Sequence, residues 1–123
     1  MPSLVDAVFQ ITVTDPESFG EQGYKSRRRW TPGAGANGTR QQVTLTASAF
    51  TALSPPSGSK AVVLILGTAT SLTLKGLTSD TGVKLTPASA ALGIDVIIPL
   101  GTSPSIGIAN GLGSDQIIEA IFL

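Results

Sequence analysis

Cysteine and histidine are both absent from this 123-residue sequence. Without cysteine there is no disulfide framework and no thiolate metal site, and compartment cannot be read from redox chemistry. Without histidine the commonest general base and the commonest metal ligand are missing. Charge is scarce too: Asp, Glu, Lys and Arg make up 13% of the residues, eight acidic against eight basic, for a formal net charge of zero. That balance argues against a nucleic-acid binder, whose footprint is usually strongly basic. No apolar run approaches the ~20 residues that a membrane-spanning helix needs. The opening Met-Pro-Ser-Leu-Val-Asp-Ala lacks the basic-then-apolar order of a secretory signal, so a soluble protein made in the cytoplasm, without membrane contact, is expected. Low charge on a chain that is 41% apolar points to a surface partly covered by neighbours.

The length suits one domain, residues 1–123, burying roughly two-thirds of its unfolded surface. The chain is organised around Lys60 to Gly76. Ala61 to Leu66 is continuously apolar between Gly58 and Gly67, as in a strand covered on both faces. Ser71 to Lys75 alternates, with Leu72 and Leu74 on one side, as in a half-buried strand. Together they imply two stacked apolar layers. Val8 to Thr14, Gln41 to Ala47, Val83 to Leu85, Ile94 to Leu100, Ser105 to Ala109 and Gln116 to Leu123 read as further strands, and Pro99 marks an edge or a strand end. Residues 49–53 fit a short strand or a single helical turn, and Pro87 to Leu92 could hold one helical turn. Short strands at near-regular spacing predict an all-β antiparallel sandwich, jelly-roll-like in its strand count. From Asp15 to Thr39 no period holds, so 15–39 is expected to be a long irregular arm or loop ordered by a partner.

Several motifs have bland readings that outweigh the sharp ones. Gly33-Ala34-Gly35-Ala36-Asn37-Gly38 has the spacing of a dinucleotide loop. That chemistry needs a strand before it and a helix after it, whereas here a Pro-flanked stretch precedes and a strand follows. Asn37-Gly38-Thr39 fits a glycosylation acceptor but equally a tight turn. Asp80, Asp95, Asp115 and Glu119 do not have calcium-loop spacing, and Asp80 before Thr81-Gly82 suits a turn. No serine has a histidine to activate it, and nothing places Lys60, Lys75 or Lys84 beside one. No cofactor, metal, catalytic residue or small-molecule substrate is expected. The one concentrated charge is Arg27-Arg28-Arg29-Trp30, with Tyr24 upstream. It reads as an anchor for a partner protein, as a solvated segment balanced by Glu17 and Glu21, or as a nucleic-acid contact.

The half from Phe50 onward resembles the small all-β virion proteins of tailed bacteriophages. The likeness runs through Phe-Thr-Ala-Leu-Ser-Pro-Pro (50–56), Ser-Leu-Thr-Leu-Lys-Gly-Leu-Thr-Ser-Asp-Thr-Gly-Val (71–83) and the apolar end Ile121-Phe122-Leu123. It implies a non-enzymatic structural protein on the virion, made in the host cytoplasm: a decoration or cement module on the capsid surface. The partners it implies are the major capsid protein or other virion proteins, and sister copies at a threefold position. A tail or baseplate component of the same fold is the alternative. A carbohydrate-binding module is poorly served by one Trp and one Tyr, and a hydrolase less well still.

Overall fold

The computed structural model describes residues 4–14, 21–32, 38–85, 95–102 and 104–123, which hold ten strands and no helix. They fall into two compact units, Met1–Pro32 and Gly33–Leu123.

The first unit is a two-stranded antiparallel ribbon. Strand β1 (Val5–Thr14) has the alternating pattern that favours an extended chain. Strand β2 (Glu21–Trp30) has no such pattern, yet it pairs with β1 along its whole length, from Thr14 opposite Glu21 to Val5 opposite Trp30. This corrects the expectation of an irregular arm across 15–39: residues 21–30 are a strand. Ladder hydrogen bonds to β1, rather than burial of alternate side chains, hold it extended. Residues 15–20 of the expected arm and most of the Gly33 to Gly38 motif lie outside the described residues.

The second unit contains β3 (Arg40–Leu45), β4 (Phe50–Ala52), β5 (Ala61–Ile65), β6 (Leu72–Lys75), β7 (Val83–Lys84), β8 (Asp95–Pro99), β9 (Gly107–Asn110) and β10 (Gln116–Phe122). They form two four-stranded antiparallel sheets in the orders β3-β10-β5-β8 and β4-β9-β6-β7. Residues 49–53 thus resolve as a strand, while Pro87 to Leu92 lies outside the described residues. Strand β8 is an edge and ends on Pro99, where a missing N–H costs no ladder bond.

Strands β5 and β6 belong to different sheets. The polar turn between them crosses over, with Ala69 N–H donating to Leu66 O (3.0 Å) and both Gly67 and Ser71 in the left-handed region (φ 57° and 56°). Val62 and Leu64 of the first sheet join Leu72 and Ile108 of the second in one hydrophobic core, together with Leu45, Ile118 and Phe122. Each such side chain contributes about 1.5–3 kcal/mol by leaving water. Strand β5 differs from its reading in one respect. Val62 and Leu64 are fully buried, but Val63 and Ile65 are only half-buried, so the outward face of this strand is not covered.

Two glycines mark where backbones meet. A Cβ on Gly107 would run into the Phe50 ring and lie 2.6 Å from Thr51 O, so the β4–β9 pairing needs a bare Cα there. Gly82, with φ 76°, turns the chain into β7 against Leu74 O.

Candidate functional site

All five residues expected to bind a partner (Tyr24, Arg27, Arg28, Arg29 and Trp30) lie on β2. Strand alternation divides them. Tyr24, Arg28 and Trp30 share one face of the ribbon, opposite Ile11, Ala7 and Val5, and Arg27 and Arg29 share the other, opposite Val8 and Asp6.

The charged face is built on Asp6, which the sequence pattern did not single out. Arg27 donates to it twice, Nε to Oδ1 at 2.9 Å and Nη2 to Oδ2 at 2.6 Å, while Arg29 Nε stands 3.6 Å from Oδ1. The Arg27 hydrogen bond, aided by the charges of Arg27 and Arg29, holds the Asp6 carboxyl below its ordinary value. The same contact raises Arg27. These groups are exposed, so the bridge orients side chains more than it stabilises the ribbon. One carboxylate serves two guanidiniums, which leaves this face basic.

The opposite face is apolar. Phe9 and Tyr24 meet edge to face with centroids 6.4 Å apart, and Phe9, Ile11 and Tyr24 are about half exposed. Arg28 Nη1 donates to Arg27 O (3.1 Å), and its charge has no carboxylate opposite among the described residues. Trp30 is half-buried, and its indole Nε1 is buried without a hydrogen-bond partner among the described residues. Arg28, Tyr24 and Trp30 thus present aromatic and guanidinium groups of the kind enriched at protein interfaces.

No known family, curated protein or solved structure matches this chain.

Elsewhere the polar side chains have structural tasks. Asp80 Oδ2 accepts from Leu77 N (2.7 Å) and closes a turn, as its sequence context predicted. Asp115 Oδ1 accepts from Ala47 N (2.8 Å), and Glu119 pairs with Arg40 across β10 and β3. No metal-binding cluster of acidic residues occurs among the described residues. Gly38, at φ 69°, sends its N–H to Phe122 O (3.2 Å) and leads into β3, so the glycine motif is followed by a strand and not by the helix a pyrophosphate needs. A cleft of about 590 Å3 lies between residues 55–60 and Leu100, Gly101, Thr102 and Pro104. Among the described residues its walls hold prolines, glycines and small hydroxyls with a single cation, Lys60, and no acid–base pair.

A second surface escaped notice in the sequence. The outward face of the β3-β10-β5-β8 sheet carries Val63, Ile65, Ile97, Ile117 and Ile121, of which Ile97 and Ile117 are more than half exposed. The signal was available: β5 and β10 are apolar at both parities, which a one-sided strand is not.

Proposed function

We propose that this chain is a capsid decoration protein of a tailed bacteriophage, a non-catalytic cement that bridges neighbouring major-capsid subunits and self-associates on the virion surface. The observation that carries this reading is the ribbon. It is a unit of its own with one basic face and one apolar face, and a two-stranded ribbon alone is marginal in water until something covers it. Such an element is suited to docking on another protein.

The second unit supports the reading at the level of architecture. Counting β3 to β10 as the first to eighth strands, the two sheets run 1-8-3-6 and 2-7-4-5. We read that order as paired Greek keys wrapped into a jelly-roll sandwich, an architecture recurrent in viral shells. Fold analogy alone does not assign a role. The pattern of residues 50–56, 71–83 and 121–123, which resembles that of small virion proteins, is the ground for choosing a phage shell.

In this reading the major capsid protein grips both faces of the ribbon, Arg27 and Arg29 with Asp6 on one and Arg28 and Trp30 on the other. The test is co-sedimentation with expanded capsids of the parent phage. Arg27→Ala/Arg28→Ala/Arg29→Ala is expected to bind about tenfold more weakly or worse, with unchanged far-UV circular dichroism. Binding as tight as that of the unaltered chain overturns the assignment. Copy number in purified virions separates capsid from tail: hundreds support decoration, a handful refute it.

A further inference from the structure

The two sheets of the second unit have unlike outward faces. On the β4-β9-β6-β7 sheet, Thr73, Lys75 and Lys84 face outward with Phe50, which lies over Gly107. On the other sheet the outward positions form two cross-strand rows. One is Arg40, Ile121, Val63, Ile97 and the next is Gln42, Glu119, Ile65, Asp95. One row is aliphatic across its middle (Ile121, Val63) with Arg40 on edge strand β3; in the next, Glu119 of central strand β10 is neutralised by its bridge to Arg40, which leaves Asp95 on edge strand β8 as the uncompensated charge of this face. Asp95 is exposed and has no ion-pair partner among the described residues.

This arrangement is self-complementary. The geometry points to a second copy of this chain as the occupant, seated face to face about a two-fold axis running parallel to the strands between β10 and β5. That operation lays each β3 over the partner's β8 and each β10 over the partner's β5. Ile121 then meets Val63 of the partner subunit, and Arg40 comes within one pleat of the unpaired Asp95 of the partner subunit. Net charge does not oppose the contact, since residues 33–123 carry four basic and four acidic groups.

Area sets the strength. Four strands at ~4.8 Å spacing and five residues at ~3.4 Å cover a patch of roughly 300 Å2 per copy. Summed over both copies this is about 600 Å2 before side-chain relief, below the roughly 1,000 Å2 that a stable interface clears and in the range of weak, transient contacts. The dimer is therefore weak, dissociated in dilute solution and filled where copies are crowded. The inference deepens the proposed decoration role, because it names the surface through which copies meet on a shell. It is read without capsid, so either can fail alone.

The experiment is sedimentation equilibrium of the full chain from about 10 µM to 1 mM. A monomer–dimer equilibrium is expected, weakened at least tenfold by Ile97→Lys with unchanged circular dichroism. It should also weaken as salt rises, and lose most of that salt dependence in Asp95→Asn. A chain that stays monomeric at 1 mM overturns the proposal. So does a dimer indifferent to Ile97→Lys, or an Ile97-dependent assembly with an odd number of copies.

Discussion

The side-chain amide of Gln116 donates to Asn110 Oδ1 at 2.8 Å, and between them these residues tie four segments together. Asn110 is almost fully buried. Its Nδ2 donates to Leu45 O and Ser114 O, and its Oδ1 also accepts from Leu112 N. Gln116 holds the loop after β5 by donating to Thr70 O and accepting from Thr70 N. Asn110→Ala is expected to cost about 2–4 kcal/mol, because buried groups on three segments lose their partners together; urea unfolding measures it. Asn110→Asp keeps the shape but sets a carboxylate against two carbonyls. Burial raises that carboxyl above its unfolded value, so this variant should gain stability as pH falls through the raised value, opposite to the unaltered chain.

The two parities of β5 should respond differently to truncation. Leu64 is fully buried and Ile65 half-buried on the outward face. Leu64→Ala is expected to cost about 2–5 kcal/mol by leaving a cavity. Ile65→Ala in the monomer should cost clearly less. Denaturant midpoints at dilute concentration test the contrast.

Gly107→Ala should be among the most damaging single methyl additions, losing about 3 kcal/mol or more or failing to fold. The new Cβ would collide with the Phe50 ring and Thr51 O on β4. Adding Phe50→Ala removes the ring but not the carbonyl. The double variant is thus expected to recover part of the loss in melting temperature and not all of it.

Acid should weaken the Asp6–Arg27 bridge. Asp6 is held below its ordinary value chiefly by its Arg27 hydrogen bond. Its folded pKa therefore lies below its unfolded one. The stabilisation is whole above about pH 4 and fades as pH falls through the lowered value. NMR titration of the Asp6 carboxyl should show that low midpoint. Arg27→Ala should move it back toward the ordinary carboxylate range, while an unchanged midpoint would refute the bridge.

Much of the second unit was legible because one buried face imposes a period of two. The period predicts strands at 41–47, 94–100 and 116–123; β8 and β10 lie within the last two, and β3 begins one residue before the first, at Arg40. Strand β2 was not legible, since Glu-Gln-Gly-Tyr-Lys-Ser-Arg-Arg-Arg-Trp lacks that period and takes its shape from the chain beside it. The candidate site was half legible for the same reason. The arginine cluster stands out by composition, but its division between faces, and the role of Asp6, exist only once β1 and β2 are in register.

In the second unit almost every connection changes sheet, and only β6 and β7 follow one another as paired neighbours. Strand β10 is pinned between β3 and β5, drawn from residues some seventy and fifty positions earlier. Apart from the short β6–β7 pairing, neither sheet can therefore grow outward from a local seed. Long loops must close before any reward arrives, and such ordering is slow, in the range of milliseconds to seconds. Slow folding is thus the toll for a scaffold in which most strands are held by distant parts of the chain.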